Sequence, residues 1–320
     1  MGIMKAPRFA AAALIGLIGF GDQAQAEKLT IGTGSAGGVY IALGKAICDA
    51  AKREIRRLDC KAVQSRGSLD NLIGMKNGTF DIGIVQSDIQ YQAVKGTGTF
   101  EKIGALPMMK AMFSAHAEAL AILARRDSGI RTLDDLPGKV VDIGKVTSGT
   151  NATMRFLFGA KGWSAQTFKS LQTLDVKEMD NALCRRQVDA TAYLAGHPNA
   201  VIRKLIAMCD ADFVQVTGPD VDRLIAANPY SIRAVIPRED YDRISYDVNT
   251  IGLLATVMTS DRADPALIYA VTKAVFEQLS YVRSAHASFR RLHPLEMARR
   301  GITAPYHPGA ERYLKEVGRL

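Results

Sequence analysis

The sequence predicts two α/β domains, each a mainly parallel sheet flanked by helices, that face each other as a clamshell. Short apolar stretches alternate with helical periodicity from residue 28 onward, which is typical of strand–helix–strand units. The same order of elements recurs in the second half of the chain, from about residue 140. The 320 residues are enough for two domains of ordinary size.

The N-terminus has the features of a secretory signal peptide. Lys5 and Arg8 form a short positive region, residues 9–21 are an apolar run too short to span a bilayer comfortably, and residues 24–26 form an A-x-A site. We predict cleavage after Ala26 and a periplasmic mature protein, with an uncleaved anchor as the alternative. No cysteine follows the apolar run, so a lipid anchor is not expected, and no later stretch is long and apolar enough to cross a membrane.

The first half of the mature chain alternates strands and helices. In chain order, the predicted elements are a strand at 28–32, a Gly/Ser turn, a helix at about 39–57, a strand at 60–65, a short helix at 68–78, a strand at 80–86 and a helix capped by Ser87-Asp88. This alternation indicates a parallel sheet covered by helices.

The second half repeats this order with a different sequence. The apolar run at 119–124 is either a central strand or a connector. The elements predicted after it are a helical turn at 133–139, a strand at 140–144, a Ser/Gly turn at 147–150, a helix from Asn151, a strand near Leu171, a helix at 177–186 and strands at 188–194 and 249–259, followed by a helix at 265–283 and a mostly helical tail. Ligands bind such sheets at the carboxyl ends of the strands, where helices begin.

Four cysteines in an exported chain indicate disulfide bonds. Three pairings are possible. Local pairing, Cys48 with Cys60 and Cys184 with Cys209, would keep each bridge within one region of sequence, whereas cross-pairing could lock a hinge. Four buried free thiols are the remaining alternative, and none of the cysteines has the spacing of a redox motif or a metal finger.

The turn from Gly32 to Gly37 matches G-x-G-x-x-G between a strand and a helix, the fingerprint of dinucleotide-binding domains. That fingerprint also needs a carboxylate at the end of the next strand, but residues 63–66 read Val-Gln-Ser-Arg. An exported protein also has little access to nicotinamide cofactors. We therefore expect no cofactor, but glycines before a helix still let an anion approach free backbone amides.

Similar helix starts occur at Ser68, at Gln86-Ser87 and at residues 148–151. Each alone is explained by helix capping, but several at equivalent strand ends favour a pocket for a small organic anion. Tyr40 is expected to wall this pocket rather than the core. His197 ends a strand, and both a ligand contact and a structural role remain open for it.

The charge pattern fits an anion better than a nucleic acid. The net charge of +9 favours long-range attraction of anions. No basic block with interleaved aromatic residues occurs, so a nucleic-acid partner is not expected. The sequence lacks the common catalytic motifs, namely G-x-S-x-G, a Walker lysine, H-E-x-x-H and a distinct carboxylate pair. Three of the five histidines precede proline, which indicates a role in turns. The sequence therefore predicts neither an enzyme nor a metal site.

Several segments together resemble the TAXI family, the solute-binding receptors of one class of TRAP transporters. They are LTIGTGS at 29–35, GGVY at 37–40, Gly67-Ser68, GTFDIGIVQSD at 78–88, SGT at 148–150, GHP at 196–198 and APYHPGA at 304–310. The resemblance covers essentially the whole mature chain. It implies a type II periplasmic-binding-protein clamshell, with one domain at about 27–117 and 249–320 and the other at 118–248.

The resemblance also implies a partner, a ligand class and a site. The partner would be a TRAP permease driven by an ion gradient rather than ATP, and the ligand would be glutamate-like or a dicarboxylate. The four cysteines lie where many family members carry two cystine pairs. Carried over by position, the cleft residues would be Gly34, Ser35, Tyr40, Ser68, Gln86, Ser87, Ser148, Thr150 and Asn151.

One departure from the family concerns Arg66, which stands where a glycine is usual before Gly67-Ser68. Its side chain either points into solvent or reaches the cleft and binds a second carboxylate. Two other functional classes stay open beside the transport receptor. They are the ligand-binding part of a membrane signalling receptor and an exported enzyme on the same scaffold.

Overall fold

The computed structural model describes residues 1–2, 27–36, 38–146 and 148–320. The predicted signal peptide therefore lies outside the described residues beyond its first two positions, as do Gly37 and Thr147 in the two predicted turns. Among the described residues, no helix is both long and apolar enough to span a bilayer.

The described strands form one continuous sheet. They are β1 (Glu27–Gly32), β2 (Leu58–Val63), β3 (Ile82–Gln86), β4 (Met109–Arg125), β5 (Val140–Asp142), β6 (Ser170–Gln172), β7 (Ala190–Gly196), β8 (Ala211–Phe213), β9 (Ile232–Ile236) and β10 (Val248–Ser260). Their order is β2-β1-β3-β10-β4-β7-β5-β6, with β8 beside β4 and β9 beside β10.

Helices cover the sheet. They are α1 (Val39–Glu54), α2 (Ser68–Asn77), α3 (Ser87–Lys95), α4 (Gly149–Ala160), α5 (Met179–Cys184), α6 (Ala200–Met208), α7 (Pro219–Ala227), α8 (Pro265–Glu277), α9 (Leu279–Ala285), α10 (Pro294–Arg299) and α11 (Pro308–Glu316). Glycine ends two of them in the left-handed conformation: Gly78 after α2, as predicted, and Gly96 after α3.

Two long antiparallel strands, β4 and β10, cross from one half of the sheet to the other. The later part of β10 pairs with β3, and its first part pairs with β9. The later part of β4 pairs with β7. The pairing of β4 with β10 shifts register between Leu254 and Thr256 and again between Val257 and Met258. Such irregularities bend a strand pair, and here they lie where the two strands pass from one half of the sheet to the other.

The apolar cores divide at the same crossing. Two clusters contain residues from 29–115 and 255–310, and two others contain only residues from 119–254. We call residues 27–115 and 255–320 lobe 1 and residues 119–254 lobe 2. The exact domain boundaries at 117/118 and 248/249 remain a prediction.

Each lobe has a parallel set of three strands, as the alternation of elements predicts: β2-β1-β3 in lobe 1 and β7-β5-β6 in lobe 2. The disulfides follow the local pairing. Cys48 in α1 is bonded to Cys60 in β2, and Cys184 at the end of α5 is bonded to Cys209 after α6. Each bridge therefore lies within one lobe, and neither joins the two lobes.

Several elements differ from the prediction. The run at 119–124 is the second half of a 17-residue strand whose first half carries polar residues such as Ser114 and His116, which hide the strand pattern. The predicted helix at 265–283 is two helices that meet at Gln278. Ser68, which the sequence favours as the N-cap of the 68–78 helix, is instead the first helical residue of α2, and Gly67 is the N-cap.

Candidate ligand-binding cleft

A cleft of about 650 Å³ lies between the two lobes. Lobe 1 lines it with the segments that follow β1, β2 and β3, and lobe 2 lines it with the start of α4 and the end of β7. These segments lie at the carboxyl ends of parallel strands, where an α/β sheet of this type places a ligand.

Six of the predicted site residues line this cleft together: Gly34, Ser35, Tyr40, Ser68, Gln86 and Ser148. They come from both lobes, so the structure brings together segments that are more than a hundred residues apart in the chain. Whether these side chains contact a ligand stays a prediction.

Ser87, another predicted site residue, is buried and does not line the cleft. Its hydroxyl donates a hydrogen bond to the carbonyl oxygen of Tyr230 at 2.8 Å and accepts one from the amide of Leu254 at 3.1 Å. Ser87 thereby ties the start of α3 in lobe 1 to lobe 2 and to the crossing strand β10.

Thr150 and Asn151 are also buried outside the cleft lining. The Thr150 hydroxyl accepts a hydrogen bond from the amide of Leu194 at 3.0 Å, and the Asn151 amide group donates one to the carbonyl of Gly144 at 2.8 Å. Both residues fix the first turn of α4 against its neighbours, so they position the wall that Ser148 presents.

His197 lies in the wall of a separate cavity of about 150 Å³. Its Nε2 is 3.1 Å from the carbonyl oxygen of Ala119, and its Nδ1 is 2.6 Å from the hydroxyl of Tyr241. A carbonyl only accepts, so Nε2 carries the proton and Nδ1 accepts from Tyr241. Burial lowers the pKa of His197 to about 4, which keeps the imidazole neutral. The Tyr241 hydroxyl in turn accepts from the amide of Asn199, the N-cap of α6 at the cleft edge.

Two helices at the cleft have a glycine as N-cap, and within the described part of the chain this leaves their first backbone amides without a side-chain acceptor. The N-caps of α1 and α2 are Gly38 and Gly67, and among the described residues no side chain caps either helix. Gly67 has a φ of +106°, which favours glycine. The first amides of both helices therefore remain available to an anion. Across the cleft, Gly149 of α4 lies against the side chain of Gln86 in lobe 1, since a Cβ added at Gly149 would lie 2.7 Å from Oε1 of Gln86. The two lobes therefore approach each other at a position where α4 has no side chain.

Arg66 points into solvent. Its side chain is 90% exposed and holds Asp70 in a two-pronged ion pair, with both nitrogen–oxygen distances at 2.8 Å. It lies at the rim of the cleft and is the single lysine or arginine among the described residues that line it. The alternative in which Arg66 reaches inward to bind a second carboxylate does not match this structure.

Glu118 is a cleft residue that the sequence analysis missed. It lies on β4 at the crossing, and its side chain is buried, with the residue only 9% exposed. The hydroxyl of Tyr40 donates a hydrogen bond to Oε2 of Glu118 at 3.1 Å. Burial raises the pKa of Glu118 to about 7, the Tyr40 hydrogen bond lowers it, and the charge of Asp88 raises it further.

Asp88 is the second buried carboxyl of the cleft, with the residue 6% exposed. Its Oδ1 accepts hydrogen bonds from Nε2 of Gln86 at 2.9 Å and from the amide of Ile89 at 2.7 Å. Burial raises the pKa of Asp88 above its usual range. The sequence analysis treated this residue only as a helix cap. Its signal in the sequence was a carboxylate two residues after a fully buried strand, at the carboxyl end of that strand.

The cleft lining combines two kinds of polar group. It contains the open helix starts of α1 and α2 and the buried carboxyls of Glu118 and Asp88. Among the described residues, no group of three or more His, Cys, Asp or Glu side chains is arranged to hold a metal ion.

Comparison with known proteins gives both a family and a fold. A model of the NMT1-like family matches residues 31–318. The periplasmic aliphatic sulphonate binding protein SsuA from Escherichia coli is 13% identical with a TM-score of 0.51, over 90% of this chain and 78% of that one. The probable amino-acid ABC transporter extracellular-binding protein YtmK from Bacillus subtilis is 14% identical with a TM-score of 0.52, over 83% of this chain and 98% of that one.

A third similar structure is the putative sulfonate ABC transporter protein SsuA from Methylobacillus flagellatus, at 12% identity and a TM-score of 0.53, over 92% of this chain and 78% of that one. At such identities the likeness establishes a shared fold, and that fold is the type II periplasmic-binding-protein clamshell. The sequence-based prediction of the fold class is confirmed.

Proposed function

Because the chain belongs to the NMT1-like family and has the type II periplasmic-binding-protein fold, we propose that it is an exported solute-binding protein that captures a small organic anion and delivers it to a membrane permease. The observation that carries this proposal is the cleft of about 650 Å³ between the lobes, into which helix starts from both lobes open. The volume lies within the range of small-molecule sites.

The crossing strands supply the motion that capture needs. Only β4 and β10 run through both lobes, among the described strands, and their pairing is irregular at the crossing. A ligand that contacts both walls of the cleft binds the closed arrangement more tightly than the open one. That difference in affinity drives closure, and no other energy source is needed.

The open helix starts favour an anion. Each helix start contributes roughly 0.3–1 kcal/mol towards a nearby negative charge. The glycine N-caps of α1 and α2 leave their first amides free for this role. A glutamate-like or dicarboxylate ligand, as the TAXI resemblance implies, is small enough for the cleft and carries the required carboxylate.

The partner is a TRAP permease, as the TAXI resemblance supports. Two of the similar structures are named as parts of ABC transporters, so an ABC permease is the competing partner. Uptake by cells that express this protein distinguishes the two. Uptake through a TRAP permease stops when the ion gradient is dissipated, whereas uptake through an ABC permease survives this treatment and stops when ATP is depleted.

The binding function is tested by thermal melting of the exported protein in the presence of a panel of carboxylates and amino acids. A ligand at a hundred times its Kd stabilises the folded state by about 2.7 kcal/mol, which corresponds to a rise in Tm of roughly 4 °C for a chain of this size. If no compound in a broad panel raises Tm, the proposal of a small anionic ligand fails. If a ligand is consumed by the purified protein, the exported-enzyme alternative replaces it.

A further inference from the structure

We infer that the cavity beside His197 is a second binding site, for a small uncharged molecule that both donates and accepts hydrogen bonds, such as one with an amide or hydroxyl group. His116 and Ser288 would be its hydrogen-bonding partners. This site is distinct from the cleft of the proposed function, so the two stand or fall separately.

The cavity has a volume of about 150 Å³ and takes its walls from both lobes and from the crossing. Glu118 lines the cleft, whereas its neighbours Ala117 and Ala119 line the cavity. Because successive side chains of a strand point to opposite faces, the cleft and the cavity lie on opposite faces of β4 at this point. A cavity of this size can hold a molecule of about six non-hydrogen atoms. It is therefore large enough to be a site of its own.

His116 is the first of two polar side chains in the cavity wall that lack a partner. The residue is 3% exposed, and neither ring nitrogen has a hydrogen-bond partner among the described residues. Packing holds the ring instead, since its centroid lies 5.4 Å from that of Phe289 and 6.2 Å from that of Tyr40. Burial lowers the pKa of His116 to about 3, so at neutral pH the ring offers one N–H donor and one acceptor nitrogen. Such groups are costly to bury unpaired.

Ser288 is the second such side chain. Its hydroxyl oxygen is buried without a partner in the described part of the chain, and a hydroxyl also both donates and accepts. By contrast, Ser114 and His197 in the same wall are hydrogen-bonded to backbone carbonyl oxygens. A Cβ added at Gly196 would lie 2.9 Å from Cδ2 of His116 and 3.0 Å from Oγ of Ser288. The two unpaired side chains are therefore neighbours, and one small molecule can serve both.

The charged groups of the cavity wall already compensate one another. Asp240 of lobe 2 accepts two hydrogen bonds from Arg291 of lobe 1, each at 3.0 Å. Glu296 accepts one from Arg300, also at 3.0 Å. An ion that entered the cavity would have to compete with these pairs, whereas an uncharged molecule leaves them intact. Since the two unpaired groups are neutral and each can donate and accept, they favour an uncharged molecule with the same two capacities.

The test compares three probes of the same size and shape: acetamide, acetate and acetamidinium. Acetamide is uncharged and both donates and accepts, acetate is an anion that only accepts, and acetamidinium is a cation that only donates. The readout is the NMR spectrum of the histidine ring nitrogens in the isotopically labelled protein at neutral pH. The signals of His116 are identified as those that disappear in His116→Phe.

We expect acetamide to shift the His116 signals saturably, with a Kd in the millimolar range because the molecule has few atoms. It should bind about tenfold or more tightly than acetate or acetamidinium, since each of these must give up its hydration without finding a free counter-charge. Ser288→Ala removes one hydrogen-bonding partner and should weaken acetamide binding by about three- to tenfold.

Ser284→Ala is the matched control. It makes the same change on α9, where the hydroxyl donates to the carbonyl oxygen of Tyr281 outside the cavity wall, so it should leave the affinity unchanged. Far-UV circular dichroism verifies that each variant is folded. Binding of acetate or acetamidinium as tightly as acetamide would show a site for an ion and overturn the inference. It is equally overturned if no probe shifts the His116 signals, which means that the cavity holds only water, or if Ser288→Ala binds acetamide as the parent does.

Discussion

Replacing Glu118 with glutamine should stabilise the ligand-free protein at and above neutral pH. The pKa of this buried carboxyl is about 7 in the folded chain against an ordinary value of 4.5. Between these values the folded state binds more protons than the unfolded state, so the free energy of unfolding falls as pH rises. The full difference corresponds to about 3 kcal/mol, which is lost above about pH 7. Glutamine keeps the shape and can still accept the Tyr40 hydrogen bond, but it carries no charge to bury.

The expected result is a difference between variant and parent that grows with pH. At about pH 4.5 the two proteins should unfold at nearly the same denaturant concentration, and at about pH 8 the variant should be more stable by about 3 kcal/mol, or roughly 5 °C in Tm. Urea titration across this range measures the difference in the free energy of unfolding. Glu277→Gln is the control, because it removes the same charge from α8 outside the cleft lining, and its stability should follow that of the parent at every pH. A constant difference at every pH, or a less stable variant at pH 8, would refute the burial argument.

Three further outcomes follow. Tyr40→Phe removes the hydrogen bond that lowers the pKa of Glu118, so the pH-dependent loss of stability should extend to higher pH in the same urea series. Replacing Cys184 and Cys209 by serine opens a loop with a sequence separation of 25 and should cost about 3 kcal/mol in the free energy of unfolding. Gly309→Ala places a Cβ at 2.2 Å from a backbone carbonyl oxygen of α8, so it should cost about 2 kcal/mol or more by denaturant unfolding and leave ligand affinity unchanged.

The sequence could predict the outer parts of the sheet because their chemistry is simple. The strands β1, β3 and β5 are short, each contains buried apolar residues, and a glycine or serine lies within two residues of each strand's end, so pattern and turn chemistry agree. The first half of β4 was missed because Lys110, Ser114 and His116 interrupt its apolar pattern. Those polar residues are tolerated because the long strand passes between the lobes, a tertiary fact that no local window contains.

The residues of the candidate site likewise fall into those that the sequence could place in the cleft and those that it could not. Glycines and serines at helix starts, such as Gly34 and Ser68, could be placed in the cleft because their role depends on the local strand–turn–helix unit. Ser87 and Thr150 belong to the same kind of unit, but they turn away from the cleft, since each is held by a backbone amide from another part of the fold. The rotamer of a small polar residue is decided by such partners, and sequence does not show them.

Glu118 lies both in the cleft lining and at the crossing of the two lobes, so the free-energy cost of burying its charge bears on ligand binding as well as on stability. Its backbone pairs with Gly196 of β7 on one side and with Leu253 of β10 on the other, and its side chain is hydrogen-bonded to α1 of lobe 1. Ionisation of this buried carboxyl therefore destabilises the folded protein at the place where the two lobes meet. A ligand that contacts both cleft walls closes around this carboxyl, so its affinity is linked to the same ionisation. We therefore expect the ligand affinities of Glu118→Gln and the parent to agree at low pH and to diverge as pH rises, in parallel with their stabilities.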